Sequence, residues 1–448
     1  MRPLHRRDFI EQSARTLLGA TALSSANVLG ANDKIVVAVM GVRGRGRVLA
    51  AEFAQRSDVE IAAVCDVDDS VFDRAISGVT DQQKRAPRVE KDVRRLLDDK
   101  SIDALVIATP IHWLAVASVW ACQAGKDVYV EKPMCHNIAE GKLMVEAVEK
   151  YKRVLQVGSQ RRSATFVKEA SEYVRSGKLG KIGMARAWMA SKRPSIGRYP
   201  DEPVPKGVDY DLWLGPAPVR PFNRNHFHYN WHWNWVYGGG ELANNGPHAI
   251  DMARALLGIG LPNRVSSSGG LHVFDDDHVT PDTQIATWEY PGLTLVWENR
   301  QWSEFGLGVG TPLLDQCSNQ GANPSPRRGA YTQAAFGVAL YGDQGTLLAY
   351  DTDWEVYHGK EVIRRCGNLG GQEHIANFID CIRTRAKPNA HVEHGYLASS
   401  LCHLGNIAFR LHRTLQFDPI SDCFVGDEEA NGLLRRTYRN PFALPEKI

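Results

Sequence analysis

Long hydrophobic runs are missing from this chain. No stretch of 18 strongly apolar residues occurs, so no segment reads as a membrane-spanning helix. An excess of one charge is missing too. Lys and Arg number 53 against 51 Asp and Glu, and no block of like charge forms a polybasic arm. That removes the electrostatic footprint of a DNA- or RNA-binding protein. Cysteine is sparse: eight residues are scattered without a CxxC pair, which argues against a zinc ribbon, a thioredoxin-type site and a disulfide scaffold. With 43% apolar and 23% charged residues, a disordered chain, a collagen-like repeat and a coiled coil are excluded as well. What remains is a globular mixture, 448 residues long, enough for two domains or three.

The first residues read as an address. Arg6-Arg7, one residue, then Phe9-Ile10 match a twin-arginine export signal. Thr16 to Asn32 carries no charge and is rich in Ala, Leu, Gly and Ser, too weakly apolar to span a bilayer, and Ser24-Ser25-Ala26 offers a small-residue cleavage site. The plainer reading is an amphipathic first helix. Residues 1–31 are taken as the signal, which predicts a periplasmic or otherwise exported protein without a stable membrane anchor. Residues 1–26 hold four Arg, one Asp and one Glu, so the formal net charge of +2 belongs to this segment.

From Lys34 the pattern changes abruptly. Lys34–Met40 is a continuous β-branched apolar run, suited to a strand buried on both faces of a parallel sheet. It enters Gly41-Val42-Arg43-Gly44-Arg45-Gly46, and helical spacing follows from Arg47. Strand, glycine-rich turn and helix form the context of a dinucleotide site, where the turn approaches a pyrophosphate and the helix N-terminus offers free N–H groups. The fingerprint is imperfect, because Arg43 stands where the middle glycine belongs. Val59–Cys65 is the next strand and ends at Asp66, 20 residues past Gly46. A carboxylate there accepts both ribose hydroxyls and repels a 2′-phosphate, favouring NAD over NADP; Asp66 also reads as a helix cap. Strands at Ile102–Ala108, Asp127–Val130 and Arg153–Val157 alternate with helices, which predicts a doubly wound parallel (Rossmann) sheet over residues 34–158. Gly41, Arg43, Gly44, Arg45, Gly46, Asp66, Thr109, Pro110, His112, Glu131, Lys132 and Gln160 all fall at the carboxyl ends of those strands, where such sheets bind ligands.

Residues 159–415 read as an α+β domain with a large, mostly antiparallel open sheet, because alternating strands appear at 184–189, 265–271, 283–290 and 294–299. Asp275 to His278 and Asn319 to Arg328 read as surface loops, and no metal site is expected. Seven of the 39 aromatic residues crowd into Phe222–Tyr237. Continuous strand geometry would put Trp231, Trp233 and Trp235 on one face and His232 and Asn234 on the other. Such a wall suits a sugar ring, with Arg161, Tyr229, Trp231 and His232 as substrate candidates, while a packed core strand is the alternative. Then comes Gly238 to Asp251, where Asn244 and His248 lie four apart, Pro247 suits a first turn, and Asp251 is placed to hold the imidazole. His248 is a natural proton acceptor, or else a packing residue. Residues 416–448 form a tail whose Asp427–Tyr438 is helix-like.

Glu131-Lys132-Pro133 and the GGG-x₃-N-x-G-P-H-x₂-D run at 238–251 together resemble the glucose–fructose oxidoreductase / inositol dehydrogenase / rhizopine-catabolism (Gfo/Idh/MocA) family, over roughly residues 34–415. The resemblance implies an NAD(P)-dependent oxidoreductase acting on a sugar or polyol, with Lys132 near nicotinamide and substrate hydroxyl and His248 as acid/base. It implies a homodimer or homotetramer paired through the open sheet. The family usually carries an acid where this chain has Asn244, and often polar residues where it has Ile111 and Leu114. Because free NAD is scarce outside the cytoplasm, a tightly bound cofactor and a redox-neutral cycle are expected. Two alternatives stand beside this: a glycoside hydrolase or lyase working through transient oxidation, whose exported relatives tend to lack the lysine this chain keeps, and a non-catalytic sugar-binding protein.

Overall fold

The structure is a computed structural model describing residues 34–303, 335–359 and 361–448. Residues 1–31 and 319–328, read from the sequence as an export signal and a surface loop, lie outside the described residues. Six parallel strands form the first sheet: β1 (Ile35–Met40), β2 (Val59–Cys65), β3 (Arg88–Glu90), β4 (Ala104–Ile107), β5 (Asp127–Val130) and β6 (Leu155–Val157). Their order is β3-β2-β1-β4-β5-β6, and every pairing is parallel. The chain reverses direction between β1 and β4, and there the helices leaving the two strands diverge and open a crevice. The central strands β4 and β5 are buried throughout, as unbroken apolar runs require in a sheet covered on both faces.

The second sheet has ten strands. They are β7 (Ile182–Ala190), β8 (Arg264–Gly270), β9 (Thr283–Tyr290), β10 (Leu293–Arg300), β11 (Phe336–Gly342), β12 (Thr346–Ala349), β13 (Asp353–His358), β14 (Glu361–Cys366), β15 (Leu415–Asp418) and β16 (Cys423–Phe424). The order is β14-β13-β12-β11-β7-β10-β9-β8-β15-β16. Only β7 and β10 pair in parallel; the other pairings are antiparallel. On one face Ala286, Trp288, Leu295 and Trp297 are buried beneath helices Gly246–Leu257 and Val392–Leu411, while alternate residues such as Ile285 and Met184 face outward.

Three local expectations are corrected. Phe222–Tyr237 is not a strand. It forms two 3₁₀ turns, Arg224–His226 and His228–Trp233. The asparagines that look like the polar half of an alternation are turn formers: Asn223 Oδ1 accepts from Asn225 N and Asn234 Oδ1 from Val236 N. His228 adopts a left-handed conformation (φ +50°) between them. The three indoles therefore diverge: Trp231 stacks on His232, Trp233 packs against His278, and Trp235 against Phe409. Second, the acidic 275–277 segment is a clasp rather than a solvated turn. Asp276 is buried and accepts from Ser195, Ile196 and His278, and Asp277 from Tyr199 and Asn225. Third, the tail is helical only over Glu428–Gly432; beyond it Phe442 packs on Trp113 and Trp120.

The two domains are interleaved. Helix Gly371–Thr384, predicted within the substrate domain, lies against the parallel sheet instead. Its Phe378 meets Phe53 and Tyr129 edge-on at 6.2 and 5.8 Å, and Arg383 and Arg385 pair with Asp58 and Asp127 at 2.7 Å. The apolar stripe Ile375, Phe378, Ile379 and Cys381 completes the core formed by Val37, Val39 and Phe53. Phe378 is fully buried, so Phe378→Ala should remove about 3–5 kcal/mol of stability and weaken nucleotide binding with it. A denaturation midpoint followed by tryptophan and by NADH fluorescence checks both.

Candidate active site

The crevice at the β1/β4 reversal holds a cavity of about 490 Å³. Its floor is the glycine-rich turn. Gly41 has φ +83°, and a Cβ there would lie 2.8 Å from the Ala108 carbonyl and Thr109 N. A Cβ on Gly46 would lie 1.9 Å from the Gly41 oxygen. These two glycines let the chain turn tightly; Gly46 itself is buried behind the wall. Gly44 meets nothing within 4 Å, so the N-terminus of helix Arg45–Ala54 opens on the cavity without a side chain in the way. Asp66 closes the ribose end. Its carboxylate accepts from Val42 N at 2.7 Å and Asp68 N at 3.3 Å, and burial pushes its pKa up to about 6 against those two N–H groups. Arg43 lines the mouth. Arg45 faces the cavity with its guanidinium held by Glu131 at 3.0 Å and Glu52 at 3.5 Å.

At the other end Lys132, following β5, reaches across to the second domain. Its Nζ donates to the Asn244 carbonyl at 2.9 Å, and burial holds its pKa below the usual lysine range. His248 stands in the first turn of helix Gly246–Leu257. Burial, then the charges of Lys132, Arg161 and Arg45, pull it well below the usual histidine range, so the ring is neutral. Its Nδ1 and the Thr109 hydroxyl are buried and unpartnered among the described residues, and both residues line the cavity. Tyr229, Trp231 and His232 face the same space, with Gln160, Thr109 and Pro110 opposite. His232 donates from Nδ1 to the Tyr229 carbonyl at 2.6 Å and is neutral, pulled down to about 3 by burial. That leaves Nε2 as an acceptor.

Four expectations about side chains change. His112 is fully buried outside the cavity wall, donating from Nε2 to the Trp213 carbonyl at 2.8 Å; it supports a wall residue rather than touching a cofactor. Arg161 is buried on Asp351 and over the Phe336 ring, so it acts on Lys132 and His248 through its charge and does not line the cavity. Asp251 does not hold His248: it takes both nitrogens of Arg162 at 2.7 and 2.8 Å. The Asn244 amide points to Glu241 at 3.5 Å, so its contribution is its carbonyl. The first three depend on partners far away in sequence.

A segment of the second domain crosses over the nucleotide end and was not foreseen. Asp209 N donates to Val67 O at 2.8 Å, Asp69 N to Gly207 O at 3.2 Å, and His228 pairs with Asp68 at 2.9 Å. On the far side Trp113 donates to Leu212 O at 2.9 Å. Trp213, Phe222, Phe227 and Tyr237 give this strap its own apolar body. The tail fastens it: Arg439 donates to Gly215 O at 2.8 Å and pairs with Asp211, while Arg436 donates to His112 O at 2.6 Å.

Two family models match this chain. One, described as oxidoreductase family, NAD-binding Rossmann fold, matches residues 35–159; the other, described as oxidoreductase family, C-terminal alpha/beta domain, matches 187–290 and 361–444. Fold, cavity and matches agree: the chain belongs to the Gfo/Idh/MocA oxidoreductase family and carries an NAD-binding domain. Similar solved structures include an aldose-aldose oxidoreductase from Caulobacter crescentus complexed with glycerol (18% identity, TM-score 0.63, covering 86% of this chain and 100% of that one). A levoglucosan dehydrogenase with NADH and levoglucosan (16%, TM-score 0.62, 86% and 99%) is similar too. Curated relatives include glycosyl hydrolase family 109 proteins of Stenotrophomonas maltophilia (34% identical over 134 residues, 29% of each chain) and Shewanella baltica (30% over 174 residues, 34% of this chain and 38% of that one). The chain spans 29% and 38% of the length of these two relatives.

The residues present fit NAD: an open glycine turn, a carboxylate placed for the ribose, and an orphaned hydroxyl at Thr109. Since ribose hydroxyls donate to the ionised carboxylate, NADH affinity should fall as pH drops through about 6. Asp66→Asn should bind roughly tenfold more weakly at neutral pH and lose that pH dependence. Fluorescence titration measures both, and a flat wild-type profile overturns the assignment. Arg439→Ala should leave the fold intact and speed NADH release several-fold, measured by exchange against unlabelled nucleotide.

Proposed function

We propose that this protein transfers a hydride between a hydroxyl-bearing carbon of a sugar or polyol and an NAD that stays bound, and that it works outside the cytoplasm after twin-arginine export. One observation carries the reading: the Lys132–His248 pair and the Tyr229–Trp231–His232 wall face the cavity whose other end is the nucleotide turn. When bound, the nicotinamide supplies the hydride exchange. The chain's own residues supply position and proton handling. Tyr229 and Trp231 pack against the apolar face of the ring, and His232 Nε2 accepts from a hydroxyl. Neutral His248 takes the proton of the reacting hydroxyl at Nδ1. The Lys132 ammonium, aimed by the Asn244 carbonyl, donates to the oxygen as it becomes a carbonyl. Proton transfer of this kind contributes about 10²–10⁴-fold, and the closed cavity strengthens the lysine's field.

Retention of the cofactor is supported by the strap and its tail. Export is supported by the Arg6-Arg7 segment and by Cys366, which is disulfide-bonded and so suits an oxidising compartment. A bound cofactor with no free pool requires a second substrate to reverse its redox state, hence a redox-neutral cycle. The exposed face of the ten-stranded sheet, with Met184 and Ile285 outward, supports pairing of two or four copies. The glycosyl hydrolase names of the curated relatives favour a second reading, elimination after transient oxidation, which would release sugar from aryl glycosides without net NADH.

Denaturing the purified protein should release about one nucleotide per chain, and a sugar screen read by bound-cofactor absorbance should identify the substrate. Lys132→Ala and His248→Ala should each lose at least about 10²-fold in turnover while retaining nucleotide. Near-wild-type turnover in either, or a protein purified empty and active only with exchanging NAD, overturns the reading.

A further inference from the structure

Between the aromatic wall and Lys132 lies a buried ion pair with no part in the reaction as described. Glu241, in the short helix Gly240–Asn244, is 1% exposed. Its carboxylate accepts from Arg193 Nη2 at 3.2 and 3.3 Å, from Asn245 Nδ2, and from Asn244 Nδ2 at 3.5 Å. Arg193 Nη1 donates to the Tyr229 hydroxyl at 2.8 Å, and its guanidinium lies over the Tyr229 and Trp233 rings. The turn that Glu241 grips holds both reacting groups. The Asn244 carbonyl receives Lys132 Nζ at 2.9 Å. The Asn245 carbonyl receives His248 N at 3.1 Å, and Asn245 N donates back to Glu241 O at 2.9 Å.

A carboxylate removed this far from water is costly unless donors surround it, and here the donors are Arg193, Asn244 and Asn245, of which Asn244 lines the cavity. Lys132 forms no ion pair among the described residues. The groups that face it are Glu131 beyond β5, Glu241, Arg161 from the turn Gln160–Ser163, Arg193 beyond β7, His232, His248, and Cys402 of helix Val392–Leu411. Glu131 is engaged by Arg45. Glu241 is the carboxylate on the lysine's acceptor side.

We propose that Glu241 is the positioning residue of the Lys132–His248 pair: it anchors the Asn244–Asn245 turn from which both take their places and adds its negative charge to that of Glu131 beside Lys132, while Arg193 ties that turn to the aromatic wall. This rests on Lys132 and His248 being the proton-handling pair. Asn244 itself contributes its backbone carbonyl, and the charge stands one helical turn earlier, at Glu241.

The test reads Lys132 without turnover, so a failure to find a sugar substrate does not touch it. Acetic anhydride labelling of the full-length protein over a pH series, mapped to Lys132 by mass spectrometry, gives the lysine's titration midpoint. Burial lowers that midpoint, and the charges of Glu131 and then Glu241 raise it. Glu241→Gln keeps size and hydrogen bonding but loses charge, so the midpoint should fall by about one pH unit, a roughly tenfold gain in reactivity below it. Glu241→Asp keeps the charge and should stay near wild type. Arg193→Gln removes the opposing cation and should move the midpoint upward, which tests the pair even if Glu241→Gln fails to fold. NADH fluorescence confirms the folded cleft in each variant. A Glu241→Gln protein that binds NADH normally and labels along the wild-type curve overturns the proposal. So do Glu241→Gln and Arg193→Gln shifting the midpoint in the same direction.

Discussion

One hydrogen bond joins the two halves of the site: Lys132 Nζ, at the end of the parallel sheet, donates to the Asn244 carbonyl in the second domain. A charged donor on a neutral carbonyl is strong where water is excluded. It also transmits position, because the same turn starts the helix carrying His248. The lysine's place is set by β5 and the histidine's by the second domain, and the bond makes the two places interdependent. A shift of the domains by one ångström would therefore misplace the proton donor and acceptor together, the kind of error that costs far more in rate than in stability.

The strap meets a different requirement. A loop of some thirty residues over a cavity would ordinarily be mobile, since it buries little. Here Trp213, Phe222, Phe227 and Tyr237 form a separate small core, and the loop behaves as a plate. Its edges hydrogen-bond to both sides of the cleft, backbone to backbone beside Asp66 and through the His112 and Trp113 side chains to its carbonyls on the other side. Polar edges and an apolar centre let it seat on the nucleotide domain without merging with that domain's core.

The parallel sheet was legible in the sequence because β1, β2, β4 and β5 are short, mostly apolar runs, leading into Gly41, Asp66, Ala108-Thr109 and Glu131. Both the NAD preference and the family followed from residues a short distance apart: Gly41 to Gly46, Asp66, Glu131 to Pro133, and 238–251. Strands β11 to β14 escaped notice, being short and set close to glycines. The misreadings share a cause. Trp231 to Trp235 alternates like a strand, yet Asn223 and Asn234 close turns through their side chains, and that choice depends on what Asp276 and Asp277 clasp. Asp251, Arg161 and His112 have suitable chemistry at suitable spacing, but Arg162, Asp351 and Trp213 claim them first. Glu241 and Arg193 carry no motif at all. Only burial distinguishes them from surface charges.

The return of helix Gly371–Thr384 to the parallel sheet has a consequence for synthesis. On the ribosome the six strands of the parallel sheet emerge early, but the stripe of Val37, Val39 and Phe53 stays uncovered until Phe378 arrives, more than two hundred residues after the last strand of that sheet. The nucleotide half thus matures near the end of translation, together with the domain that roofs it. The core of the nucleotide domain and the chain that closes it are completed together, and neither half has a finished core apart from the other.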